Sequence, residues 1–300
     1  MRRVLGGAAL AATLVGCDPA PPAGGYTLLF LGRSPAALLA GRSWAPDPAK
    51  SRVLGFDRAL HVARELRNPR LETPMAVAPF GPAALLVTEH TGEGLVLDTA
   101  GRAVREWESP DVASLYATGG GRVVATRSPY YVPELAVPGP DTAPLIRVLD
   151  TLGHPAAGLA ALRRPAVPYL SSLVNAGALA ADGNGAVYYA PLVRDEIRKY
   201  GPGGTLRWTA KRGLFPSEPD PVFVAGRGTL AVRRALVNVA LALGPDGRLY
   251  ALGGDDSNAA ALRVDVLDTA TGRIAATRHL GTRDAAVALG PNGTLAVFDR

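Results

Sequence analysis

Apolar and polar positions alternate along most of the chain in short runs, and the runs come in pairs. Between Leu236 and Leu252 the sequence LVNVALALGPDGRLYAL reads as a polar opening residue, Asn238, an alternating apolar strand, a Pro-Asp-Gly turn and a second apolar strand. Alternation with a period of two marks a strand with one face buried. Asp-Gly between two such strands signals a two-residue hairpin turn, whose central positions both need positive φ. The same pattern returns at Leu173–Tyr189 (LVNAGALAADGNGAVYY) and Arg283–Phe298 (RDAAVALGPNGTLAVF). A hairpin repeated through a chain predicts an all-β repeat architecture.

The remaining segments fall into phase with these hairpins. Tyr26–Leu31 predicts a strand, and Pro35–Ala40 a helical turn or a covering loop. Arg52–Arg67 predicts the outer hairpin of a unit, Met75–Glu108 a full unit, and Asp111–Leu162 another, interrupted by a proline-rich insertion, Ser128–Pro144. Further units cover Asn175–Lys211 and Leu236–Leu280, with a strand pair around Val222–Arg234. The period predicts a β-propeller of four-stranded antiparallel blades, six in number, with five or seven left open by the uneven spacing. The last hairpin lacks an outer partner and Arg52–Arg67 lacks an inner one. Pairing the two chain ends would close the ring and remove exposed sheet edges.

ADGNGAVYY, RKYGPGGTLRW, LGPDGRLYAL, VLDTATGRIAA and LGPNGTLAV resemble the repeats of bacterial six-bladed NHL-like propellers. The resemblance runs through most of residues 50–300 and implies fold, not function.

The N-terminus has a different pattern. Met1-Arg2-Arg3 is basic, and Val4–Gly16 is apolar over 13 residues, short of the roughly 20 that a membrane-spanning helix needs and suited to a signal peptide. Leu14-Val15-Gly16-Cys17 resembles the lipobox of bacterial lipoproteins. That resemblance implies cleavage between Gly16 and Cys17 and a lipid anchor on the Cys17 thiol. Residues 1–16 then form the signal, 17–25 a Pro/Gly tether, and 26–300 the propeller domain. Cys17 is the only cysteine, which excludes an internal disulfide. The expected location is the periplasm or the cell surface, with the protein membrane-anchored.

Composition changes little in this picture. Without Arg2 and Arg3, 32 basic residues become 30 against 26 acidic ones, a net +4. The arginines are scattered and form no run of five, so a nucleic-acid partner is not expected. The four histidines, His61, His90, His154 and His279, have no zinc-ligand spacing, and no nucleophile elbow or phosphate loop occurs. Asp255-Asp256 reads as an exposed turn. Trp107 and Trp208 occupy matching places in outer hairpins and predict packing between blades.

Two constellations remain as candidate sites. About nine positions before each turn glycine, Asn175, Asn238 and Asp284, with Asp111 a looser match, open innermost strands and would ring the mouth of a central channel. Oxygens there suit a hard cation such as Ca2+ or a polar ligand. Propeller lactonases of the gluconolactonase type, which the arrangement resembles, hold calcium in such a place, although no glutamate stands at an equivalent strand here. The same side chains also suit capping of backbone groups at the strand starts. Tyr130-Tyr131, inside the insertion, predict a partner-binding loop. The expected function is a non-catalytic binding or scaffold protein of the bacterial envelope, monomeric and without a cofactor. It would engage a protein, peptide or glycan; the alternative is a calcium-dependent lactonase.

Overall fold

The computed structural model describes residues 24–91, 93–107, 114–119, 121–127, 144–167, 170–214, 222–226, 229–233, 237–255, 261–282 and 284–299. The chain opens with β1 (Thr27–Leu31) and β2 (Ser34–Pro35). The first blade follows as β3 (Ala37–Leu39), β4 (Arg42–Asp47), β5 (Arg52–Phe56) and β6 (Val62–Arg67). The second is β7 (Pro74–Phe80), β8 (Ala84–Glu89), β9 (Gly94–Asp98) and β10 (Ala103–Trp107). The third is β11 (Ser114–Gly119), β12 (Arg122–Arg127), β13 (Pro144–Leu149) and β14 (Pro155–Ala161). A short helix, α1 (Ser171–Asn175), leads to the fourth: β15 (Gly177–Ala181), β16 (Val187–Pro191), β17 (Ile197–Tyr200) and β18 (Leu206–Ala210). A separate hairpin, β19 (Val222–Gly226) and β20 (Thr229–Arg233), precedes the fifth: β21 (Asn238–Leu243), β22 (Leu249–Gly254), β23 (Leu262–Leu267) and β24 (Ile274–His279). The chain ends with β25 (Ala285–Leu289) and β26 (Leu295–Asp299).

These strands form six four-stranded antiparallel blades in a β-propeller. The sixth blade closes the ring in the order β2-β1-β25-β26, so the two chain ends do pair. The partner differs from the one the repeat pattern predicts. Arg52–Arg67 already has its inner strands in β3 and β4, and the last hairpin pairs with β1 instead. That hairpin forms the outer half of its blade, because β2 is the strand that touches the inner strands β7 and β21. Pro35–Ala40, expected as a helical turn or a covering loop, falls instead in a nearly continuous inner segment, Ser34–Leu39, divided between two blades. Val222–Arg233 forms the isolated hairpin and belongs to no blade.

The blades pack face to face, and apolar clusters fill the gaps between neighbours. Leu54 and Phe56 of the first blade meet Leu28 and Ala288 of the sixth. Val53 and Leu66 meet Val77 and Leu85 across the next gap. Tyr188 and Ile197 meet Leu241 and Leu249 between the fourth and fifth. Alternation alone supplies these two-sided interfaces, since successive side chains point to opposite faces of a blade. Trp107 is buried in the gap between the second and third blades. Trp208 lies against Gly272 of the next blade, where its Nε1–H donates to the Thr269 carbonyl at 3.1 Å. Both tryptophans thus pack between blades as the sequence predicts.

The hairpin turns are one residue type simpler than expected. At Gly244–Arg248, Gly247 N–H donates to Gly244 O and Gly244 N–H to Arg248 O, both at 3.0 Å. Among Pro245, Asp246 and Gly247 only the glycine has positive φ, at 76°. This is a type I turn followed by a left-handed glycine, because Pro245 presets the first turn position. The same pair of bonds closes 57–61, 98–102, 150–154, 182–186, 201–205 and 290–294. The only two-residue turn of the expected kind among the described residues is Ala40-Gly41, with φ of 51° and 73°.

Candidate functional site

In the first five blades antiparallel order sends the first-to-second and third-to-fourth connections to one end, and in the sixth, where β1 precedes β2, the β25–β26 turn lies at that end while the Gly32-Arg33 turn lies at the other. The second-to-third and blade-to-blade connections go to the other. The first end is closed by the tight turns. Their aspartates fold inward: Asp98 Oδ1 accepts the N–H groups of Ala100 and Arg102, and Asp150 and Asp182 do the same in their own turns. These hydrogen bonds hold the Asp98 and Asp150 carboxyls below the usual carboxylate range. The other end carries the ends of the strands that these connections join, with the described stretches 162–167, 170–176, 192–196 and 211–214. It is the loop face, and it is the candidate site.

A buried polar cluster fastens this face between the fourth and fifth blades. Arg212, just past β18, sends its guanidinium under β21. Its Nη1–H donates to Asp265 Oδ2 at 3.1 Å and to Ala251 O at 3.1 Å. Its Nη2–H donates to Val237 O at 2.8 Å and Asn238 Oδ1 at 2.5 Å. Both Arg212 and Asp265 side chains have no solvent exposure. Arg263 Nε–H donates to the same Asp265 oxygen and its Nη2–H to the Arg212 carbonyl. Thr277 Oγ1 donates to the other Asp265 oxygen at 2.6 Å. Asp195, in the β16–β17 connection, accepts the backbone N–H groups of Arg212 and Leu214. Burial pulls the Arg212 guanidinium down to about 10, against the pull of Asp265 and Asp195, which favour its charge. Two arginines and two aspartates balance in charge, which is what allows them to stay ionised in an apolar interior.

The predicted channel-mouth residues separate on inspection. Asn238 opens β21 as expected and is fully buried. Its Nδ2 donates to Pro191 O at 2.6 Å and Arg194 O at 2.7 Å, tying the β16–β17 connection to the clamp. Asn175 is the last residue of α1, not the start of a strand. Its Oδ1 accepts the Arg163 N–H and its Nδ2 donates to Arg163 O and Ser171 O. Both amides therefore satisfy backbone groups of the connections they touch. Asp284 precedes β25 and is exposed. Asp111, Tyr130, Tyr131, Gly16 and Cys17 lie outside the described residues, although the strands flanking the tyrosines, β12 and β13, end at the loop face. Among the described residues, no group of three or more His, Cys, Asp or Glu side chains converges as metal ligands.

Arg212, Asp195, Asp265 and Arg263 carried one legible signal. Arg263 and Asp265 interrupt the apolar run LRVDVL two residues apart, hence on one face of β23. Asp255, expected in an exposed turn, is buried, and its Oδ2 lies 2.7 Å from Nδ1 of the half-exposed His279. At the opposite end of the ring, a cavity of about 390 Å³ is lined by Gly24, Tyr26, Leu38, Arg58, Asp246 and Pro291.

No protein-family model and no curated protein matches the chain. Among solved structures it is similar to a streptogramin B lyase, with 12% identity and a TM-score of 0.52 over 93% of this chain and 84% of that one. It is also similar to a chain of a nidogen/laminin complex, with 12% identity and a TM-score of 0.53 over 83% and 80%. A protein of unknown function from Bacteroides caccae aligns at 12% identity and a TM-score of 0.45 over 77% and 69%. The first two likenesses establish the propeller fold and nothing finer.

Proposed function

We propose that this protein is a lipid-anchored, exported β-propeller that binds an envelope protein, peptide or glycan on its loop face without catalysis. The observation that carries this reading is the asymmetry of the ring. One end is sealed by short turns, while the long connections share the other, where buried ion pairs hold two of them in place. A rigid scaffold presenting variable loops at one end is a recurrent design for binding. The lipobox-like Leu14-Val15-Gly16-Cys17 supports export and anchoring.

Two experiments test the reading. Radiolabelled palmitate should enter the wild-type chain in a bacterial host and not the Cys17→Ser variant. Photo-crosslinking residues placed at Tyr130, Tyr131 and Arg164 should capture one discrete partner in cells, while the same residue at Gly203, in a tight turn, should not. Capture from both ends alike, or from neither, would overturn the binding role.

A further inference from the structure

The sixth blade is short of half a strand. Its innermost strand, β2, pairs with β1 only at Phe30↔Pro35 and Leu31↔Ser34, and the chain then crosses to the first blade as β3. On the channel side Thr27 and Leu28 therefore have no strand partner among the described residues. Ser43 of β4 stands in for one, its Oγ accepting the Leu28 N–H at 3.0 Å. The cavity of about 390 Å³ lies where the missing half would run. It opens between the β3–β4 turn of the first blade, the β21–β22 turn of the fifth and the β25–β26 turn of the sixth. Its volume is that of a small-molecule site.

The lining is fixed by the fold. Tyr26 N–H donates to the Arg58 carbonyl at 2.6 Å, and a Cβ on Gly25 would collide with Arg58 Cβ, so the entering chain and the β5–β6 turn are locked together. The Tyr26 ring stands edge-on to Phe298, with centroids 5.8 Å apart. Asp57 Oδ1 accepts the N–H groups of Ala59 and His61, which sets the carboxylate in its turn.

Hydrogen-bonding capacity is left over at this lining. Ser43 is buried, and its O–H proton has no acceptor among the described residues. Asp57 Oδ2 accepts no hydrogen bond, the His61 ring standing 3.8 Å away. Neither the Arg58 guanidinium nor the Tyr26 hydroxyl has a side-chain partner among the described residues. Charge is close to balanced. Asp246 accepts the Tyr250 O–H and lies 3.9 Å from Arg248, which leaves Asp57 and Arg58 to offset each other. A phosphate or sulfate would meet two carboxylates and one guanidinium, an unfavourable exchange. Leu38, 48% exposed, adds an apolar wall with Leu289 and Pro291. Spare donors and acceptors without net charge, beside apolar surface, match a sugar. Its hydroxyls both donate and accept, and its ring carbons present C–H faces.

We infer that this notch binds a neutral mono- or disaccharide, at the end of the ring opposite the loop face and independently of any partner there. Saturation-transfer NMR would be run on the full-length chain in a detergent without sugar headgroups. The probes would be glucose, galactose, mannose, N-acetylglucosamine, maltose and cellobiose. At least one should receive saturation and bind with a millimolar or tighter Kd. Leu38→Trp, which fills the notch from an exposed position, should abolish the transfer. Arg58→Ala should weaken binding about tenfold or more, and Arg164→Ala, on the loop face, should leave it intact. Thermal melts show that each variant is folded. No transfer to any of these sugars, or transfer that persists in Leu38→Trp, would overturn the inference. If Leu38→Trp does not fold, unchanged binding in Arg58→Ala overturns it instead.

Discussion

Arg212 and Asp265 face each other at 3.1 Å with both side chains wholly out of solvent, joining the connection after the fourth blade to the third strand of the fifth. The pair does what a longer apolar contact could not: it fixes a loop of irregular sequence at one orientation, because the two Nη groups of Arg212 meet four acceptors whose positions are set by separate strands, while its Nε has no partner. Removing one partner leaves a buried charge. Asp265→Ala should therefore cost about 3–5 kcal/mol, whereas Arg212→Met with Asp265→Leu should recover much of the loss. Chemical denaturation of the single and double variants measures both.

Gly253 makes room for that clamp. A Cβ there would lie 2.2 Å from Arg212 Nη2 and 2.3 Å from Val237 O. Backbone lies on one side, and on the other a guanidinium whose Nη1 and Nη2 are each held by two acceptors, so neither yields easily. Gly253→Ala should destabilise the protein by about 1–3 kcal/mol or more and expose the β16–β17 connection to proteolysis, readable as a new cleavage near Arg194.

Ala40 offers the opposite effect. It is exposed and holds φ of 51° in a two-residue turn, a conformation that costs a residue with a Cβ and suits asparagine before glycine. Ala40→Asn should raise stability by roughly 0.5–1 kcal/mol. A thermal melt showing a loss would contradict the turn geometry.

The calcium reading turns on Asn238. Because its amide bonds Pro191, Arg194 and Arg212, Asn238→Ala should lower the melting temperature by the same amount with calcium as with a chelator. A calcium-induced rise in the wild type that vanishes in Asn238→Ala would restore the lactonase alternative and direct ester and lactone assays to this protein.

Alkaline pH supplies a further check. Burial, with Asp182 beside Tyr188 and Asp246 beside Tyr250, pushes the Tyr188 and Tyr250 hydroxyls above the usual phenol range, and burial, ahead of smaller contributions from Glu196 and Tyr200, does so for Tyr189. The folded state then keeps protons that the unfolded state releases, so these groups favour folding below the ordinary tyrosine value of about 10 and lose that contribution as pH rises through it. Phenolate absorbance should appear together with unfolding. Tyr250→Phe, which lacks the hydroxyl, should lessen the slope of stability against pH above that point.

Much of the fold was legible because its causes are local. The repeated alternation, the Gly at each turn and the matching places of Trp107 and Trp208 act within a few residues or along one strand, and each predicted hairpin among the described residues is present. The turn type at Asp246-Gly247 was misread because the turn spans three residues, Pro245 to Gly247, and not two, as it also does in turns without proline. The candidate site was legible only in part. Asn238 was identified as the opener of an innermost strand at the channel mouth, but its burial was not, and its partners Pro191, Arg194 and Arg212 lie 26 to 47 positions away, where no spacing rule joins them.

By itself the sequence determined that this chain is a ring of paired strands, because strand period and turn chemistry are properties of neighbours. Tertiary structure decided which strands close the ring and where the Arg212 charge is neutralised. Those outcomes depend on the face that distant residues share once the blades twist and pack, and a linear pattern holds no record of that shared face until the chain has folded.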